Sequence, residues 1–176
     1  MSTAMNTEAR QTLEQLAPEA LKTALRLSGK ILLDGELTGA STDQMIDVIH
    51  PGNLQVIGQV PQCGTADVNA AVEAADAALK SWRRIPARER GRMLQKAADA
   101  IEAEAELVAL VLALDTGNAL RTQARPETAS SFDLLRMFGG LAGELKGETV
   151  PNMSPDVLHY STRDPIGVIA GIIPWN

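Results

Sequence analysis

Three side-chain chemistries in this sequence invite a catalytic reading: a carboxamide at Asn176, a single thiol at Cys63, and imidazoles at His50 and His159. Asn176 closes the run Ile166-Gly-Val-Ile-Ala-Gly-Ile-Ile-Pro-Trp-Asn, an apolar segment that reads as a buried strand carrying a polar side chain to its carboxyl end. Open α/β sheets place their ligands at that end, so the amide is a candidate donor to an oxygen that becomes negative during a reaction. Such a donor needs a nucleophile and a base to serve. Both are expected to lie outside these residues, which makes the chain read as a piece of an enzyme. The competing reading of Asn176 is a strand-end residue capping the next turn.

Cys63 precedes the expected N-terminus of a helix, where a thiolate would be stabilised. No histidine neighbours it in sequence, and it is read as a small, partly buried residue. His50 and His159 have no second His or Cys at ligand spacing, so no metal site is expected. The glycines of Gly167-Val-Ile-Ala-Gly171 sit inside the apolar run instead of opening a helix after a strand. They are therefore no dinucleotide fingerprint and are expected to permit close backbone packing. Arg83, Arg84, Arg88, Arg90 and Arg92, interspersed with Glu89, read as a solvated helix face.

The elements that must position these groups follow from periodicity. Residues 1 to about 27 carry a loose helical pattern in Leu13, Leu16, Ala17, Ala20, Leu21, Ala24 and Leu25, with Pro18 opening its second half. Asp34-Gly35 after Ile31-Leu-Leu predicts a short hairpin. Ile46-Asp-Val-Ile and Gln55-Val-Ile-Gly-Gln-Val predict two strands joined by a turn at His50-Pro-Gly-Asn. From Thr65, the expected N-cap, Val68, Ala71, Val72, Ala75, Leu79 and Trp82 recur at helical spacing. A second amphipathic stretch runs from Pro86 to a left-handed cap at Gly117, with a possible break along it. A further helix is expected over about Pro126 to Phe138, burying Phe132, Leu135 and Phe138 or a shifted version of that set, before Gly139-Gly140 loosen the chain. Lys146 to Arg163 predicts a β-hairpin with half-polar arms, suited to joining another sheet or a partner subunit.

Composition narrows the classes. At 176 residues with 45% hydrophobic content the chain can supply one ordinary core. A net charge of −6 gives no basic footprint, so neither nucleic acid nor membrane is expected as a partner. The longest apolar runs fall well short of the roughly 20 residues a membrane span needs. One cysteine excludes an intramolecular disulfide and points to a reducing compartment, so a cytoplasmic location is expected.

At Ile173-Pro-Trp-Asn176 the sequence resembles the N-terminal part of the NAD(P)-dependent aldehyde dehydrogenases. The same resemblance runs, in order, through Pro51-Gly52-Asn53, Asp67-Val-Asn-Ala-Ala-Val with Trp82, Ala87-Arg-Glu-Arg-Gly-Arg, Leu114-Asp-Thr-Gly-Asn, Lys146-Gly-Glu and Arg163-Asp-Pro-Ile-Gly-Val. It covers about residues 28 to 176. It implies an α/β fold of helices with short strands, an oligomerisation hairpin and the first strand of an incomplete Rossmann-like sheet. In domain terms it implies a helical extension over 1–27, an incomplete cofactor-binding domain over 28–145 and 164–176, and the hairpin over 146–163.

In function, the resemblance implies an oxidoreductase that converts an aldehyde to a carboxylic acid, with NAD or NADP as hydride acceptor, through a cysteine thioester. Asn176 matches the catalytic amide donor, and Ile172, Ile173, Pro174 and Trp175 match residues lining the cofactor groove. The nucleophile of the family follows the position matching Asn176, which excludes Cys63 and implies that this chain alone is inactive. The resemblance further implies a homo-oligomer formed through residues 146–163, and it hints that Asp115 with carbonyls near Val48 and Ile49 holds a monovalent cation. Two other readings compete with it. One is a non-catalytic interaction fragment that joins intact subunits through the hairpin, and the other is a simple nucleotide-binding module.

Overall fold

The computed structural model describes residues 18–151 and 154–173. It is a mixed α/β arrangement in which helices dominate and the strands form three separate two-stranded antiparallel ladders. Helix α1 (18–27) is followed by a left-handed Gly29 (φ 71°), whose N–H donates to Gln59 O at 2.8 Å and ties the helix end to a later strand. Strands β1 (Ile31–Leu33) and β2 (Glu36–Thr38) pair in the register Leu32 with Leu37. The positive φ angles at Asp34 (50°) and Gly35 (81°) make the type I′ turn that the Asp-Gly pair predicts.

Strands β3 (Met45–Ile49) and β4 (Val56–Pro61) pair with Asp47 opposite Gln59 and a bulge between Val48 and Ile49. Their connecting turn closes through His50 N–H to Gln55 O (2.9 Å) and Leu54 N–H to His50 O (2.8 Å).

Helix α2 (Thr65–Trp82) starts one residue away from expectation, with Gly64 rather than Thr65 as the N-cap. The reason lies in Asp67. Its carboxylate accepts from Gly64 N–H (2.8 Å), Ser41 N–H (2.6 Å) and Ser41 Oγ–H (2.8 Å), so the first helical turn is capped from inside and latched to the 39–44 loop. The apolar stripe of α2 is little used, and Val68, Val72 and Trp82 remain exposed.

Helices α3 (Ala87–Ala103) and α4 (Ala105–Thr116) are separated by a break at Glu104, where φ is −111°; α3 is amphipathic as expected, whereas α4 is apolar on nearly every side. Gly117 ends α4 in the left-handed conformation (φ 74°), as its position predicts. A π-helical turn (Leu120–Ala124) then leads into α5 (Arg125–Leu141), with Ala124 N–H reaching back five residues to Ala119 O (3.2 Å). Arg125 holds Glu106 of α4 in a two-pronged ion pair at 2.9 and 2.6 Å. That pair depresses the Glu106 carboxyl and raises the Arg125 guanidinium relative to their ordinary values.

Contrary to expectation, Gly139-Gly140 do not loosen the chain. Helix α5 runs through them because α3 crosses so closely that a Cβ on Gly91 would collide with the Gly139 carbonyl. A Cβ on Gly139 would in turn lie 2.8 Å from Gly91 O, so only glycines fit. This crossing, and not burial of aromatics, holds α5 in place. Phe138 is exposed, which corrects the expected buried set. The core among the described residues is built from small side chains, with Ala109, Ala113 and Ala124 packed against Leu112 and Leu120.

Strands β5 (Thr149–Val150) and β6 (His159–Tyr160) form the predicted hairpin, with Thr149 opposite Tyr160. Asn152 and Met153 at its turn lie outside the described residues. The expected buried strand at Ile166–Ile173 is absent: these residues take no regular structure, and Ile166 and Ile172 are 89% and 100% exposed. A strand exists only by pairing, and no neighbouring strand among the described residues lies alongside this run.

The Asp67 latch has a defined pH dependence. Backbone donation from Gly64, then from Ser41, and the Ser41 hydroxyl hold the carboxyl below the ordinary aspartate value of 3.8. Its stabilisation is therefore complete above the unfolded-state pKa and is lost as pH falls through the lower folded-state value. Asp67→Asn should lower Tm at pH 7 by several degrees, and thermal scans down to pH 3 should show the gap between variant and parent closing.

Candidate functional site

Among the expected site residues, Pro174, Trp175 and Asn176 lie outside the described residues. Ile172 and Ile173 are described and both are exposed, at 100% and 73%. They present bare apolar side chains and no charge.

Cys63 lies between β4 and the Gly64 cap of α2 and is exposed, not partly buried as expected. The nearest secondary structure gives it the helix-start position foreseen, yet His50 is engaged elsewhere and His159 sits in the exposed hairpin strand β6. No group of three or more His, Cys, Asp and Glu side chains suited to a metal occurs among the described residues. Asp115 and Val48 do line one cleft of about 440 Å³, together with Leu107, Val111 and Leu112. Apart from the Asp115 carboxylate, the described side chains that line that cleft are uncharged.

Two turns, which the sequence presents 64 residues apart, meet in space. The His50-Pro-Gly-Asn turn packs on the C-terminal cap of α4, where His50 Nδ1 lies 2.7 Å from Leu114 O and donates to it. A Cβ built on Gly117 would lie 3.2 Å from Pro51 Cβ, so the proline closes directly over the left-handed cap. The imidazole also lies against Gly52, where an added Cβ would be 2.9 Å from Nε2. Each turn is legible locally, but their contact is not. The only hint is that a helix C-terminus leaves carbonyls unpaired and a nearby imidazole N–H can satisfy one.

Comparison with known proteins fixes the lineage of this arrangement. Residues 38–176 match the model of the aldehyde dehydrogenase family. The chain belongs to that family. It is similar to an aldehyde dehydrogenase of Aspergillus niger, with 38% identity over 147 residues that make up 83% of this chain and 29% of that protein. It is also similar to a glutarate-semialdehyde dehydrogenase of Pseudomonas aeruginosa, with 35% identity covering 89% of this chain and 32% of the relative. Among solved structures, betaine aldehyde dehydrogenase of Staphylococcus aureus in complex with NAD+ superposes with a TM-score of 0.75 at 28% identity, over 81% of this chain and 29% of the other.

The chain thus spans about a third or less of these relatives, and its fold is that of the N-terminal region of the aldehyde dehydrogenases. The family is one of oxidoreductases, and the Staphylococcus enzyme carries NAD+. No described helix is long and apolar enough to cross a membrane.

The His50 contact assigns that residue a structural role. Replacing His50 with Ala leaves the Leu114 carbonyl unpaired and should cost about 1–2 kcal/mol of folding stability, measured as a lower urea midpoint. Unchanged stability would show that the imidazole does not anchor the turn.

Proposed function

We propose that this chain supplies the oxyanion donor and one wall of the cofactor groove to an NAD(P)-dependent aldehyde dehydrogenase that oxidises an aldehyde to a carboxylic acid. The observation that supports this most is the family match extending to residue 176, across the Ile173-Pro-Trp-Asn176 motif. In the reaction a cysteine thiolate adds to the aldehyde carbon, and the carbonyl oxygen becomes negative as the C–S bond forms. The Asn176 side-chain amide donates to that oxygen, the kind of donor that a reaction of this class uses where charge develops. NAD or NADP, when bound, accepts the hydride that leaves as the thioester forms, and a glutamate-activated water then releases the acid.

Ile172, Ile173, Pro174 and Trp175 line the cofactor groove by packing and backbone contact. The exposed, uncharged side chains of Ile172 and Ile173 fit such a wall. Residues 28–145 and 164–176 form the part of the cofactor-binding domain carried here, 1–27 an added helical extension, and 146–163 the hairpin through which subunits assemble into a cytoplasmic homo-oligomer. The nucleophilic cysteine and the glutamate base are not among these residues, so the chain by itself does not turn over. A second reading, that of a non-catalytic fragment joining intact subunits, is favoured by the exposure of both short arms of the hairpin.

The test is kinetic. In the complete enzyme, Asn176→Ala should lower kcat by roughly 10²–10³-fold, about 3 kcal/mol of transition-state stabilisation, with the cofactor Kd unchanged. The purified 176-residue chain mixed with NAD or NADP and a panel of aldehydes should give no reduced cofactor. Turnover that survives stringent purification, or an Asn176→Ala enzyme of normal kcat, would overturn the assignment.

A further inference from the structure

The joint between the His50-Pro-Gly-Asn turn and the end of α4 leaves hydrogen-bonding capacity unspent. His50 donates from Nδ1 to Leu114 O, so in the neutral imidazole Nε2 is a bare acceptor. Asn118 donates from Nδ2 to Glu127 Oε1 (3.4 Å), and its Oδ1 accepts from no donor among the described residues. Gln55 accepts at Oε1 from Asn53 Nδ2 (3.0 Å), and its own Nε2 donates to no acceptor among them. Two acceptors and one amide donor therefore remain, each on a side chain that a neighbour already holds in place.

All three side chains line one cleft of about 780 Å³. That volume falls within the roughly 300–1,000 Å³ of small-molecule sites. Ile57, Leu110 and Leu120 supply apolar wall, and Ile57 and Leu110 are themselves buried. No Asp, Glu, Lys or Arg among the described residues lines the cleft.

This inventory selects a class of ligand. A carboxylate or phosphate would leave water and find no counter-charge, and a plain hydrocarbon would strand three polar groups. A neutral primary carboxamide answers all of them. Its two N–H groups match the acceptors His50 Nε2 and Asn118 Oδ1, and its carbonyl oxygen matches the donor Gln55 Nε2. An apolar body attached to the amide would cover Ile57, Leu110 and Leu120 and gain by their loss of water. Because the three side chains are held before a ligand arrives, little freedom is lost on binding.

We propose that this cleft binds a small neutral molecule made of a primary carboxamide on an apolar body.

A titration of the full 176-residue chain with three related probes tests the proposal, read from its amide and side-chain NMR signals. Benzamide should shift the resonances of His50, Gln55 and Asn118 and saturate with a Kd of about 1–10 mM, the strength expected of so small a ligand. Benzoate, which has the same shape with a negative charge, and N,N-dimethylbenzamide, which keeps the carbonyl and lacks both N–H groups, should each bind at least tenfold more weakly. Equal affinity of either probe with benzamide would overturn the proposal. So would benzamide shifts confined to residues outside the cleft, or no saturable shift.

Gln55→Glu gives a second reading, since the side chain is exposed and the change puts a carboxylate oxygen where the amide donor stood. Benzamide affinity should fall at least tenfold, and unchanged affinity would contradict the proposal. The comparison of the three probes needs no substitution and decides the matter if the variant fails to fold.

Discussion

A backbone that leaves water must find hydrogen-bond partners, and the apolar run Ile166–Ile173 is where that requirement governs this molecule. Its side chains are those of a strand buried on both faces, yet none of the three ladders among the described residues extends to it. A central strand of a parallel sheet takes its partners from strands distant in sequence, joined by crossover connections. Until such neighbours lie alongside, the run keeps its N–H and C=O groups in water and its isoleucines exposed. The apolar stripe of α2 and Leu134, Met137 and Phe138 of α5 are likewise exposed.

What the described residues do hold together is built on small side chains and backbone. The glycine crossing of α3 and α5, the alanine cluster between α4 and the π-helical turn, and the Arg125–Glu106 pair fix three helices without a single large side chain fully buried. Close backbone approach compensates for modest apolar volume, since dispersion rises steeply as surfaces come into contact. The β-rich entry segment is attached to this scaffold at two places. Ser28 and Gly29 bond to Gln59, and His50 bonds to Leu114, so β4 and the turn before it are braced from both sides.

Features whose cause is local were legible in the sequence. Asp34-Gly35 dictates its turn whatever surrounds it, and Gly117 caps α4 because only the next residues of the same chain are involved. Features whose cause is distant were not. Gly139 reads as a helix breaker until α3 is seen to demand the absence of a Cβ, and Thr65 reads as the cap until Ser41, 26 residues from Asp67, is found donating to that carboxylate. The apolar run at the end shows the same limit from the other side: its composition is that of a buried strand, yet a strand forms only by pairing, and among the described residues it has no partner. The family motif was readable because it rests on residue identity, whereas Pro174, Trp175 and Asn176 fall outside the described residues.

Amide exchange over Ile166–Ile173 measures most directly whether this segment becomes structured through pairing with the rest of the aldehyde dehydrogenase fold. In the 176-residue chain these amides should exchange near the rate of an unstructured peptide, and in the complete enzyme at least a hundredfold more slowly. Strong protection in the 176-residue chain as a monomer, or equally fast exchange in both, would contradict it.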